Sequence, residues 1–183
     1  MSLAHAILVC LVDEPMTGYE LAKRFDSSVG FFWRANHQQI YRELTLLGEK
    51  AYVKGKLVNQ VGKPNKTVFS VTKAGKDVLW KWSQESTPPA SIKEELMLKF
   101  YALSAVDTKA LAEQLVQRME EHRERLELYQ QILNKTYKDA SSLDLAATGR
   151  LLGLKAGLSL ERNWIEWGTE ALEALKRFEG LKP

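Results

Sequence analysis

The spacing of the apolar residues switches from helical to alternating after Lys50 and returns to helical after Thr72, a change that few folds accommodate in so short a span. Upstream of it, Leu3–Val12 is apolar nearly throughout and long enough for one helix. Asp13-Glu14-Pro15-Met16-Thr17-Gly18 reads as a turn, and Thr17 with Glu20 has the spacing of a capping box. A second helix is predicted from Gly18 to Ser27, with Tyr19, Leu21, Ala22 and Phe25 available to a core. The aromatic stretch Phe31-Phe32-Trp33 leads to Asn36, a good N-cap, and a third helix from His37 to Lys50 presents Ile40, Leu44 and Leu47 as one stripe. Two strands follow, Tyr52–Val58 and Thr67–Val71, joined by a loop rich in turn formers and lysine. Thr72 caps a fourth helix, Lys73–Ser83, in which Gly75 costs ~1 kcal/mol relative to Ala. Helix, helix, helix, hairpin, helix is the order of a winged helix-turn-helix.

Residues 84–91 are polar and carry the pair Pro88-Pro89, which stops a helix and reads as a linker. The predicted organisation is a winged domain over 1–86, a linker over 87–91 and a helical domain over 92–183. The fold class is mainly α with a small β-hairpin. In the second half, Ile92–Ala105 offers Leu96, Leu98, Phe100 and Leu103, and Asp107 caps a long helix running to Lys138. Leu111, Leu115, Met119, Leu126, Tyr129 and Leu133 form a heptad-like seam along it, with His122 in the gap. After a break at Ser141–Asp144 a last helix carries Leu151, Leu154, Leu158, Ile165, Leu172 and Leu175 to about Phe178. Two long helices joined this briefly fold back as an antiparallel pair. Trp164, Trp167 and Phe178 add apolar area beyond what a thin hairpin covers, which implies a twofold-related copy. Leu111, Leu115, Met119, Leu126, Tyr129, Leu133, Leu158, Ile165 and Leu172 are therefore expected to serve dimerisation.

Charge separates the halves. Residues 1–88 hold twelve Lys/Arg against eight Asp/Glu, and residues 89–183 hold fourteen against fifteen. Seven lysines and no acid fall between Lys50 and Lys76. A basic half joined to a near-neutral one points to a polyanion at one end only. With Cys10 alone, an intramolecular disulfide and a multi-cysteine zinc site are excluded, and a buried thiol is expected. His5, His37 and His122 are too scattered for a metal site, and no cofactor is expected. The longest apolar run, Ala6–Val12, is far short of the ~18 residues of a membrane span, so the expected setting is cytoplasmic with no membrane partner. Nucleophile elbow, phosphate loop, HExxH and paired carboxylates are all missing, which argues against an enzyme.

The third helix and the hairpin carry the candidate chemistry. In a helix-turn-helix the second helix presents its first residues to base edges in the major groove of double-stranded DNA. Here these are Asn36, His37, Gln38, Gln39, Tyr41 and Arg42, among which Gln suits adenine and Arg suits guanine. Lys63, Asn65 and Lys66 at the hairpin tip suit phosphate, as do Tyr19 and Lys23 on the second helix, although Tyr19 fits a core equally well. Lys54 and Lys56 extend the basic surface. Gly149, Gly153 and Gly157 share a helical face that fits close approach by a helix or a planar ligand. His122 fits either a register-setting polar residue or a pH-sensitive element.

The segments Met16-Thr17-Gly18-Tyr19-Glu20-Leu21 and Gln39-Ile40-Tyr41-Arg42-Glu43-Leu44, with Phe69-Ser70-Val71-Thr72-Lys73-Ala74-Gly75 closing the hairpin, resemble the PadR family of bacterial transcriptional regulators. The C-terminal helices resemble the subgroup with an AphA-like, virulence-activator type domain. Phe69 departs from the Tyr frequent in the family, and Gly48-Glu49-Lys50-Ala51 is an unusual ending for the recognition helix. The resemblance implies a homodimer on a palindromic operator, usually a repressor, and often release of DNA by a small aromatic effector. Trp164 and Trp167 are the candidate ligand residues. A protein–protein adaptor that keeps the winged fold without binding DNA is the alternative.

Overall fold

The N-terminal unit is built around α1 (Leu3–Asp13), which packs into the core and leaves Val9 and Val12 exposed. Ile7, Leu8, Cys10 and Leu11 are buried in it. The structure, a computed structural model, describes residues 2–27, 33, 35–62, 64–89, 93–139 and 142–178. It forms two compact units, Met1–Pro89 and Ala90–Pro183. Around α1 stand α2 (Gly18–Ser27), contributing Leu21, Ala22 and Phe25, and α3 (His37–Glu49), contributing Ile40, Leu44 and Leu47. The Thr17–Glu20 capping box forms as the spacing predicts: the Glu20 amide donates to Thr17 Oγ1 at 3.1 Å and the Thr17 amide to Glu20 Oε2 at 2.7 Å.

The expected two-stranded hairpin is part of a three-stranded antiparallel sheet. Besides β2 (Val53–Val58) and β3 (Lys66–Val71), Met16–Thr17 makes a short strand β1, in the order β1-β3-β2. Met16 faces Phe69 and Thr17 faces Val68. Two residues are too few to show alternation, so the segment reads as a turn until its partner is known. In the β2–β3 ladder Val53 faces Val71 and Val58 faces Lys66.

The end of α3 explains its unusual sequence. Ala51 adopts a left-handed φ of 55°, the Ala51 amide donates to Gly48 O at 2.9 Å and the Tyr52 amide to Leu47 O at 2.9 Å. This is a Schellman closure with Ala where Gly is usual. The carbonyls of Ala51 and Tyr52 then accept the Thr72 hydroxyl, at 2.7 and 3.1 Å, and the Thr72 amide donates to Tyr52 O at 2.9 Å. Thr72 Oγ1 also accepts from the Gly75 amide at 3.1 Å, capping α4 (Lys73–Ser83). A Cβ on Gly75 would lie 2.3 Å from Tyr52 O. The glycine is there because α4 starts against this carbonyl.

In the second unit the helix expected over 92–105 is shorter: α5 spans Glu95–Tyr101, and a single 3-10 turn at Leu103–Ala105 follows. Val106 is extended so that Asp107 can cap α6 (Thr108–Thr136), accepting from the Lys109 and Ala110 amides at 3.0 Å. Helix α6 ends two residues before the expected Lys138. Asp144 caps α7 (Leu145–Lys176) through the Ala147 amide at 2.7 Å. Met119 meets Gly168, His122 meets Glu161 and Tyr129 meets Gly157, a descending series that makes the pair antiparallel. Among the described residues no helix is long and apolar enough to cross a membrane.

Candidate nucleic-acid interface

The start of α3 is fixed by a reciprocal cap. Asn36 Oδ1 accepts from the Gln39 amide and Gln39 Oε1 accepts from the Asn36 amide, both at 2.9 Å. Gln39 is thus committed to the backbone through its acceptor oxygen, whereas its neighbour Gln38 has no such bond to the cap. With Ile40, Leu44 and Leu47 turned inward, His37, Gln38, Tyr41, Arg42 and Thr45 form the exposed side of the helix. Thr45 Oγ1 donates to Tyr41 O at 3.2 Å. Sequence reasoning passed over Thr45; its place one turn beyond Tyr41 and Arg42 was the available signal.

Tyr41 has a second role. A Cβ on Gly18 would lie 2.4 Å from Tyr41 Cε1, so the ring lies against the first residue of α2 and sets how closely α2 and α3 approach. Tyr19, which fitted a core or a surface role in the sequence, is 66% exposed. Lys23 is exposed on the same helix.

The hairpin carries Lys54 and Lys56 in the open on β2. Asn65 Oδ1 accepts from the Gln60 amide at 3.2 Å, so Asn65 shapes the loop, and Gly62 supplies its positive φ of 73°. Lys66 is half-buried at the start of β3, close enough to Glu20 to help hold its carboxyl below the usual range. The larger causes of that depression are the Thr17 amide and hydroxyl bonds. Lys63, the other expected phosphate contact, lies outside the described residues.

In the helical unit the expected dimer seam closes within one chain. Leu111, Leu115, Met119, Tyr129 and Leu158 are buried, and Leu126, Leu133, Ile165 and Leu172 are half-buried along the same helix pair. These side chains are covered, wholly or in part, by their own α6–α7 packing. An exposed apolar stripe lies elsewhere on α7: Leu145 is 90% exposed, Leu152 62% and Leu160 60%, with the small residues Gly149 and Ala156 between them. That spacing repeats about every seven residues. Of the three glycines on one face, Gly157 is explained by Tyr129, whose Cε2 would lie 2.9 Å from an added Cβ, whereas Gly149 has open space beside it.

Trp164 and Trp167 are half-buried and packed against other rings. Trp164 stacks on His122 at 4.7 Å, meets Trp167 edge-on at 5.3 Å, and Trp167 meets Phe100 of α5 edge-on at 5.2 Å. A half-open groove of about 1240 Å³, lined by Ala112, Val116, Met119, Leu172 and Leu175, includes neither tryptophan. Among the described residues no cluster of His, Cys, Asp and Glu is arranged to hold a metal.

A winged helix-turn-helix with its second helix exposed, a lysine-bearing hairpin beside it and a separate long-helix unit defines a DNA-binding regulator of the winged-helix class. Residues 7–81 match the transcriptional regulator PadR-like family and residues 92–176 match the virulence activator alpha C-terminal family. The chain belongs to the PadR-like family of transcriptional regulators. It is 36% identical to a probable transcriptional regulator of Mycobacterium tuberculosis, over 96% of this chain and 98% of the relative. The negative transcriptional regulator PadR of Bacillus subtilis is 28% identical, over 90% and 92%. The structure of that B. subtilis protein with operator DNA superposes with a TM-score of 0.80 at 29% identity, covering 94% and 98% of the two chains. The same protein with p-coumaric acid gives 0.75 at 26% identity, covering 95% and 98%. The Vibrio cholerae virulence activator AphA gives 0.77 at 32% identity, covering 97% and 99%.

Proposed function

We propose that this chain is a homodimeric repressor that reads a palindromic operator, with residues 1–86 as the reading head, 87–91 as the linker and 92–183 as the dimerisation unit. The observation that carries the reading is the exposed side of α3, anchored by its capping box and leaving Gln38, Tyr41 and Arg42 open to base edges. His37 and Asn36 lie at the helix start, where amides and dipole favour phosphate. Tyr19 and Lys23 on α2, and Lys63, Asn65 and Lys66 at the wing, supply or shape backbone contacts. Gln39 belongs to the cap, so its share in base reading is confined to its amide nitrogen. The B. subtilis relative solved with operator DNA supports the partner.

One recognition helix per chain needs a second copy to fill a twofold site with half-sites ~34 Å apart. The outer stripe of α7 is the surface for it, because Gly149 and Ala156 let a facing helix come close while Leu145, Leu152 and Leu160 supply apolar contact. A small aromatic effector that releases DNA completes the reading, supported by the relative solved with p-coumaric acid. The packed rings of Trp164 and Trp167 then report on effector binding rather than clasp it.

Binding of the duplex upstream of its own gene, measured across salt concentrations, tests the core of the proposal. Retardation that weakens steeply with salt is expected; a folded dimer that shifts no duplex at low salt overturns it. The double substitution Lys63→Glu/Lys66→Glu separates this reading from an adaptor, which would keep its partner. A tryptophan titration with phenolic and planar compounds tests the effector, and an unresponsive signal across the panel removes that part.

A further inference from the structure

The wing ends in an apolar side chain for which phosphate binding has no use. Val61, at the outer end of the loop between β2 and β3, is wholly exposed. The turn that carries it is shaped: Asn65 Oδ1 accepts from the Gln60 amide at 3.2 Å, and Gly62 follows the valine with a φ of 73°. A Cβ added at Gly62 would meet nothing within 4 Å, so the outer side of the turn is open among the described residues. Further back on β2, Leu57 is 63% exposed and stands on the opposite strand face from Lys54 and Lys56. The hairpin thus combines a lysine-bearing face with exposed apolar groups on its other face and at its tip.

A valine side chain has neither charge nor hydrogen-bonding group, so it gains nothing from a phosphate. Reach decides which other part of a duplex it meets. Strand β2 spans six residues, ~20 Å at ~3.3 Å per residue. With α3 in the major groove, which is ~12 Å wide, a projection of that length passes the bordering phosphates and ends over the neighbouring minor groove. The walls there are deoxyribose C–H groups, and on the floor a G·C pair differs from an A·T pair by the guanine N2 amine. Apolar side chains suit those walls, whereas the amine is a donor that a valine would strip of water and leave unpaired. We propose that Val61 is a specificity-determining residue that packs its isopropyl group between the sugar walls of the minor groove beside each half-site, and so favours A·T over G·C pairs at that position. The inference rests on the DNA-binding reading above and extends it: α3 reads base edges in the major groove, and the wing reads the composition of the flank.

Inosine substitution tests it, because an I·C pair keeps the major-groove face of G·C and lacks the N2 amine. Hydroxyl-radical footprinting of the full chain on the duplex upstream of its own gene locates the minor-groove segments that it protects, and these are then filled with A·T, I·C or G·C pairs. The unsubstituted protein is expected to bind the A·T and I·C duplexes alike and the G·C duplex on the order of tenfold more weakly. Val61→Ser should close most of that gap. Its Tm should stay unchanged, because the side chain is wholly exposed, and so should the slope of affinity against salt, because no phosphate contact is lost. Three results overturn the inference: equal binding of all three duplexes by the unsubstituted protein, an I·C duplex bound as weakly as the G·C one, which would move the reading to the major groove, or a gap that persists in full in Val61→Ser. A folded chain that shifts none of the duplexes overturns the DNA-binding reading and this inference with it, whereas one that shifts them all with an unaltered gap in Val61→Ser overturns this inference alone.

Discussion

Replacing Gly75 by Ala puts two simple expectations in direct conflict. Helix propensity alone favours Ala inside α4 by ~1 kcal/mol. The structure predicts the opposite sign. The new Cβ would lie 2.3 Å from Tyr52 O and 2.8 Å from Val71 Cγ2. The carbonyl cannot retreat freely, because it accepts from the Thr72 amide at 2.9 Å and the Thr72 hydroxyl at 3.1 Å. Overpacking of this kind costs about 1–3 kcal/mol, and loosening the two Thr72 bonds costs about 1 kcal/mol each. Against the ~1 kcal/mol from propensity, the net loss is about 2–4 kcal/mol. In a unit of this size each kcal/mol moves the midpoint by roughly 4–8 °C, so Tm of the N-terminal unit should fall by at least several degrees. Differential scanning calorimetry of the full chain, with the transition assigned by His5–Trp82 fluorescence, measures it. A neutral or raised Tm would show that the start of α4 is not held against Tyr52, and the account of the Thr72–Gly75 hub would fail.

The remaining predictions are shorter. Ala51→Gly should stabilise the same unit by up to about 1 kcal/mol by relieving the left-handed φ at the end of α3, as read by urea unfolding; a loss would refute that end geometry. Cys10, pushed up to about 11 by burial, keeps its proton in the folded chain where the unfolded chain has lost it. Stability should therefore be complete below pH 9 and decline as pH rises from about 9 to 11, by up to about 3 kcal/mol, and this alkaline slope should flatten in Cys10→Ala. The Glu20 carboxyl is held below its ordinary value by the Thr17 bonds, so its contribution is present above the unfolded pKa and is lost as pH falls through the folded one. Glu20→Gln should lessen the acid-side loss seen in denaturant midpoints. Leu152→Glu/Leu160→Glu should yield monomers in sedimentation while far-UV circular dichroism stays unchanged; a persisting dimer would place the interface elsewhere.

The parts of the fold visible in the sequence are those that local chemistry specifies. Thr17, Asn36, Thr72 and Asp107 each cap the helix expected of them, because a short side-chain acceptor before an apolar stripe has one good use. The stripe Ile40, Leu44 and Leu47 is buried as its spacing requires. Features set by distant partners were not legible. Met16–Thr17 becomes a strand only because Phe69 and Val68 are there to receive it. Periodicity marks Leu111–Leu133 as apolar on one side, yet it cannot say whether α7 of the same chain or of another covers it. His122 was visible as a polar residue in that seam, whereas its partner Glu161, 39 positions away, carries no local sign of the pairing.

The cap at the head of α3 has a consequence for how such a protein changes its target. Position 39 holds the helix in shape before any DNA arrives, so altering it disturbs the fold at the moment it would alter recognition. On the proposed mode of reading, new operator preference is more freely acquired at Gln38, Arg42 and Thr45, which carry no such duty at the helix start. The proposed reading surface is thus divided into a fixed hinge-pin and a replaceable set of letters.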